Sequence, residues 1–357
     1  MIGIICIGDI SVTPFLNNYI NILEKKNIEY EVLFWNRELL RRNLPENYIS
    51  FNYESDYNKQ PYKKINDFIH FSKWCREQIT KRKYEKLIVL LTLTGFFIAD
   101  LLINEYKNKY IFDIRDYSYE HFKLFYYIEK KIINNSFFTC ISSEAFKEFL
   151  PNYNYMICHN FRSEDLKNRK LFKKKGYGCT LNIVFVGCLR YFNHQINIID
   201  KLKNDTRFNV FYHGSGPEYE KYIQYCNKNN VNNVFFTGRY NDSEKFILLK
   251  DADILNNSYM SPKYMEVKYA ISNKYYDGLI YGIPQLVEKD TYKHKLVEKN
   301  GLGIGLDVED NDFADKLYEF YFSLQTDKFN TNCECELRRV ISENKIYEHK
   351  IEEFLDA

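Results

Sequence analysis

Gly176-Tyr177-Gly178-Cys179-Thr180-Leu181-Asn182-Ile183-Val184-Phe185-Val186-Gly187 is the stretch on which the fold turns. Its first glycines close a segment, residues 160–178, that carries seven basic residues against two acids, and its apolar run Asn182 to Val186 ends on another glycine. A short apolar run between turn signals reads as a buried strand. Strands and amphipathic stretches already alternate before Asn160, so a fresh series opening at Asn182 predicts a second α/β domain rather than an extension of the first.

Upstream, strands are expected at 2–7, 29–35, 87–91, 110–114 and 137–141, with a short one at 48–51 in an otherwise irregular 36–60. Helices are expected at 14–26, 62–82, 96–106 and 122–134, and one capped by Ser142 before Pro151. Downstream, strands are expected at 182–186, 208–212, 233–237, 253–256 and 285–287, with helices at 193–203, 217–227, 243–250, 273–281 and 292–299. The expected division is an N-terminal Rossmann-like domain over 1–165, a linker over 166–180, a C-terminal Rossmann-like domain over 181–335 and a helical segment over 336–357.

Composition narrows the function classes. With 357 residues, 45% of them hydrophobic, the chain has material for two cores, and its net charge of +2 argues against wholesale nucleic-acid binding. Nine scattered cysteines, an odd number without zinc-site spacing, fit a reducing compartment, and the cytoplasm is the expected location. The longest apolar run, Leu87 to Ala99, is too short to span a bilayer.

In open parallel sheets ligands bind beyond the carboxyl ends of strands. There the second domain places Gly187-Cys188-Leu189-Arg190, His213-Gly214-Ser215-Gly216-Pro217 and Gly238-Arg239-Tyr240. Glycine admits a ligand close to the backbone, and the next helix offers free N–H groups to a phosphate. The helix opening Asn273-Lys274-Tyr275-Tyr276-Asp277 puts a cation and a carboxylate on one face, either as an exposed ion pair or as a site for a phosphate beside a sugar hydroxyl.

The order of these pieces, from Ile183-Val184-Phe185-Val186-Gly187 through His213-Gly214-Ser215-Gly216-Pro217-Glu218 and Val234-Phe235-Phe236-Thr237-Gly238 to Asn273…Asp277…Gly282-Ile283-Pro284, resembles the donor-binding half of GT-B glycosyltransferases. The first domain resembles its counterpart through Phe112-Asp113-Ile114-Arg115-Asp116, Cys140-Ile141-Ser142-Ser143 and His159-Asn160. The resemblance implies two Rossmann-like domains facing across a cleft, closing about 160–180, and sugar transfer from a nucleoside-diphosphate sugar to a hydroxyl of a glycan or lipid-linked glycan. It implies that Arg190 and Lys274 neutralise the diphosphate, that Asp277 bonds the ribose and that Gly238-Arg239-Tyr240 lies against the base, with Gly187, His213, Gly214, Gly216 and Asn273 completing the donor site. Neither cofactor nor metal is expected, because two cations and helix N–H groups can carry the leaving charge. Tyr269 stands where many retaining members have a second acid, which leaves the stereochemistry open. The acceptor base is expected in the first domain, among Asp9, Asp113, Asp116, Glu120 and His121, with Asp116 or His121 preferred and with an Asp113–Arg115 ion pair as the structural alternative. An epimerase of the same architecture and a catalytically silent partner subunit are the competing functions.

Two further motifs have structural readings. Asp251-Ala252-Asp253 looks like a metal-binding acid pair but sits at a helix-to-strand junction, so no metal is expected there. Between Lys59 and Lys86 nine basic residues against three acids interleave with Tyr62, Phe68, Phe71 and Trp74. Such a stripe packs on its own sheet or forms a peripheral contact with an anionic membrane on the inner face of the plasma membrane.

Overall fold

The computed structural model describes residues 1–56, 59–260 and 263–357. The chain divides into two compact units, Met1–Asn160 with Ser342–Ala357, and Phe161–Ile341. The strands of the first are Ile2–Cys6 (β1), Tyr30–Asn36 (β2), Tyr48–Asn52 (β3), Lys86–Leu90 (β4), Tyr110–Ile114 (β5), Phe138–Ile141 (β6) and Met156–Ile157 (β7). They form one parallel sheet in the order β3-β2-β1-β4-β5-β6-β7. β1 is buried along its whole length, as a strand covered by helices on both faces must be, which is why it reads as a continuous apolar run.

The aromatics of the helix Pro61–Arg82 belong to this core. Phe71 stacks on Trp35 at 5.8 Å, Phe68 meets the same indole edge-on at 5.9 Å, and Trp74 lies over Phe51 at 5.4 Å. The aromatic half of the membrane-facing alternative is therefore spent on the unit's own sheet. The side chain of Tyr62 lies outside the described residues.

The second unit contains Leu181–Val186 (β8), Phe208–His213 (β9), Val234–Gly238 (β10), Ile254–Asn256 (β11), Gln285–Glu288 (β12) and Gly303–Leu306 (β13). All pairings are parallel, in the order β10-β9-β8-β11-β12-β13. The chain works outward from β8 to one edge and then returns to its other side at β11, so the switch point, where ligands settle in such sheets, lies between β8 and β11.

Several expectations need correction. Part of the segment expected as a linker packs on the second unit: Phe172 is buried, Lys170 N donates to Ile280 O at 2.9 Å and Phe172 N to Asn330 Oδ1 at 2.8 Å. The cap before Pro151 is Ser143, whose hydroxyl accepts from Ala145 N, while Ser142 Oγ donates to Arg115 O. The helix expected over 96–106 is two helices, Thr92–Phe97 and Ala99–Asn104, separated at Ile98. The closing helix begins well before residue 336 and runs Thr326–Asp356. By contrast, Asp253 has the structural role read from its helix-to-strand position: it accepts from Asn182 N at 2.7 Å and Lys175 Nζ at 2.6 Å, fixing the start of β8.

Candidate anion-binding site

The three glycine loops of the second unit are stitched to one another. Gly187 N donates to His213 O at 3.0 Å, Leu189 N to Ser215 O at 3.1 Å and Gly214 N to Gly238 O at 2.9 Å. Gly214 has φ +138°, and a Cβ there would stand 1.9 Å from Gly187 O; on Gly216 it would stand 2.3 Å from Leu189 O. Loop-on-loop contact, rather than ligand approach, thus requires these two glycines. Gly187, at φ +136°, differs: the nearest atom to its Cβ position is Lys274 Nζ, at 3.7 Å.

Lys274 sits in the first turn of the helix Asn273–Tyr281 and is only 3% exposed. Its ammonium lies 4.2 Å from the Phe185 ring centre and 4.0 Å from that of Tyr259. Burial drives its pKa from 10.5 down to about 7, and Arg190 pushes the same way against the attraction of Asp277 and Glu288. The exposed ion pair considered from the sequence does not form. The Asp277 carboxylate is buried and held at 2.7 Å by Lys245 Nζ, which also stands 4.0 Å from Asp165; even so, burial keeps its carboxyl above the usual range. Lys274 is therefore a buried cation held over aromatic faces, beside a helix start whose Ser272 makes no side-chain cap, since its hydroxyl is turned to Asn257 Oδ1. An anion here would meet an ammonium, leading N–H groups and a glycine with no Cβ in the way.

The other expected donor residues surround this point to differing degrees. Arg190 is exposed, its guanidinium 4.8 Å from the Tyr191 ring centre. His213 is buried with Nδ1 2.8 Å from Thr237 Oγ1, and burial lowers its pKa. Arg239 and Asn273 are exposed and Tyr240 half-buried, while Gly238, at φ +77°, has only Tyr219 Oη near its Cβ position, at 3.8 Å. Lys245 and Tyr259 were missed from sequence. Nothing local marks Lys245, whereas Tyr259 follows β11 at the same carboxyl edge and was legible by the rule applied to the glycine loops.

In the first unit the candidate bases separate clearly. Asp113 is fully buried, bidentate to Arg115 at 2.6 and 2.7 Å, and accepts from Tyr19 Oη at 2.8 Å. Asp9 caps a short turn through Ser11 and is held by Arg42 at 2.8 Å. Both are committed to structure. Asp116 and His121 are exposed, the latter with Nδ1 3.1 Å from Tyr117 Oη. Glu120 combines features of both groups: it is buried, Oε2 accepts from Ser118 N at 2.6 Å, and Oε1 has no hydrogen-bond partner. Burial, reinforced by Asp116, pushes its carboxyl up to about 7. Among the described residues no group of three or more His, Cys, Asp or Glu is placed to hold a metal ion.

The fold is that of the GT-B glycosyltransferases. Among solved structures, sucrose-phosphate synthase from Thermosynechococcus elongatus superposes with a TM-score of 0.72 at 10% identity, over 100% of this chain and 99% of that one. The lipopolysaccharide outer core galactosyltransferase WaaB gives 0.64 at 14% identity, over 98% of both chains. Anabaena HepE in complex with UDP-glucose gives 0.64 at 12% identity, over 99% of both. No protein-family model matches the chain, and no curated protein matches it.

Proposed function

We propose that the chain is a glycosyltransferase that moves a sugar from a nucleoside-diphosphate sugar to a hydroxyl of a glycan or lipid-linked glycan in surface-polysaccharide synthesis. The observation that carries this is Lys274, buried over Phe185 and Tyr259 at the switch point with no carboxylate among the described residues in salt-bridge contact with it. A buried amine in that setting is stabilised by an incoming diphosphate, and it holds the charge that grows on the diphosphate as the glycosidic bond breaks. Arg190 and the first turn of Asn273–Tyr281 share that load, so this reading asks for no metal. Glu120 fits the role of acceptor base, since a carboxylate with a pKa near 7 is half deprotonated at working pH. That HepE was solved with UDP-glucose and that WaaB is a galactosyltransferase of lipopolysaccharide support the donor class and the glycan context. Contact with a membrane-borne acceptor is consistent with the exposed Ile65, Ile69, Leu124 and Tyr127 among lysines of the first unit; no helix among the described residues is long and apolar enough to cross a bilayer.

The test is release of nucleoside diphosphate from UDP-, GDP- and ADP-sugars, in chelator, with and without glycan acceptors. Acceptor-stimulated release is expected from one donor. Absence of release with every donor and acceptor sinks the reading, and release without transfer points to the epimerase or hydrolytic alternatives.

A further inference from the structure

A cavity of about 740 Å³ opens in the second unit at the carboxyl ends of β8, β11, β12 and β13. None of the residues assigned above to the diphosphate lines it. Two contacts nevertheless join it to them. The Arg190 guanidinium lies over Tyr191, which lines the cavity. The Tyr259 ring centre is 4.0 Å from Lys274 Nζ and 4.7 Å from Lys293 Nζ, and Lys293 Nζ stands 3.0 Å from Glu288, which also lines it. Through these residues the cavity adjoins the anion site.

Its lining is unlike the anion site in charge. The carboxylates are Glu218, Glu288, Asp290, Asp307 and Glu309, against Lys263 and Lys289. Glu218 and Glu288 are offset from outside the lining by Lys221 and Lys293, which leaves Asp290, Asp307 and Glu309 against Lys263 and Lys289. Lys289 is itself drawn to Asp310, at 3.8 Å. His194 adds no compensating charge: its Nε2 is 2.7 Å from Ser258 Oγ, and burial together with Lys293 pushes its pKa down to about 4. Glu288 is only 2% exposed, and its Oε1 has no hydrogen-bond partner although it pairs in charge with Lys293. Tyr191, Phe192 and Tyr264 supply aromatic faces. Acceptor-only carboxylates beside flat apolar faces suit a ring that carries many hydroxyl donors, and they repel one that carries a carboxylate or phosphate.

We propose that this cavity seats the glycosyl ring of the donor and selects uncharged or amine-bearing sugars over uronic acids and phosphorylated sugars. The proposal rests on the donor reading above and specifies which donors that site admits.

The experiment is calorimetric titration of the full chain, first with UDP, GDP and ADP, then with the neutral-hexose and hexuronate conjugates of the nucleotide that binds best. The hexose conjugate is expected to bind about tenfold more tightly than the hexuronate, the effect of like charge from half-buried Asp307 and exposed Asp290 and Glu309 at close range. In the double variant Asp307→Asn, Glu309→Gln that ratio should fall toward unity, with affinity for the free diphosphate unchanged, which also reports that the variant is folded. Equal affinities in the native chain, or a ratio that survives both substitutions, overturn the cavity assignment while leaving the diphosphate site standing. Failure of every nucleotide to bind removes the donor reading and this proposal with it.

Discussion

Replacing Lys274 by Met should stabilise the unliganded protein while abolishing its affinity for nucleoside diphosphates. The folded protein releases the Lys274 proton near pH 7 whereas the unfolded chain keeps it to about 10.5. Between those values the unfolded state binds more protons, so the contribution of this residue to stability rises with pH. At 1.36 kcal/mol per unit, the buried amine costs roughly 4 kcal/mol at pH 7 and roughly 1 kcal/mol at pH 10. Met fills similar volume without the charge but loses the contacts of the ammonium with Phe185 and Tyr259, about 1–2 kcal/mol together. The net gain is then about 2–3 kcal/mol at neutral pH and about 1 kcal/mol at pH 10, where the folded amine is neutral and no ammonium contact is lost. In a unit of this size that is a rise of about 6 °C in the melting temperature at pH 7. Differential scanning calorimetry from pH 6.5 to 10 measures it, with the gap between variant and native protein closing as pH rises. A nucleoside diphosphate that binds the native chain should raise its melting temperature and leave that of the variant unmoved. A Met variant less stable than the native chain at pH 7, or a gap that does not change with pH, refutes the account of Lys274 as a buried and poorly compensated cation.

Glu120→Gln should lower turnover about 100-fold or more, the scale of a lost general base, and remove an activity limb near pH 7. The folded carboxyl binds its proton to higher pH than the unfolded one, so native stability falls as pH rises from about 4.5 to about 7; the Gln variant should lose that slope in urea titrations run across the range. Gly214→Ala forces a side chain into φ +138° and against Gly187 O, and should cost about 3 kcal/mol or more by thermal unfolding.

How much of this was legible in the residues depends on length and environment. Strands such as Ile2–Cys6 announce themselves because both faces are buried and no polar side chain interrupts the run. Met156–Ile157 is too short to leave a pattern, and Gly303–Leu306 is half glycine, so both edge strands stayed hidden. The break at Ile98 has no proline or glycine to signal it. The sheet-edge rule located the neighbourhood of Lys274, but its burial was not readable, because lysine is ordinarily exposed and the rings that cover it come from β8 and from the loop after β11. Lys245, which takes the carboxylate expected to face Lys274, lies 32 positions before Asp277, and no local spacing links them.

The helix Thr326–Asp356 also bears on how the molecule is made. Tyr347, Ile351 and Phe354, all buried, belong to the same core as Ile4, Tyr19 and Ile88, and the Tyr19 and Tyr347 rings meet edge-on at 5.9 Å. During vectorial synthesis the first unit therefore waits, with this part of its core uncovered, until the ribosome has released residues near position 354, whereas Phe161–Ile341 can close earlier. At roughly 5–20 residues per second that wait is on the order of ten seconds or more, during which this apolar surface of the amino-terminal unit stays uncovered.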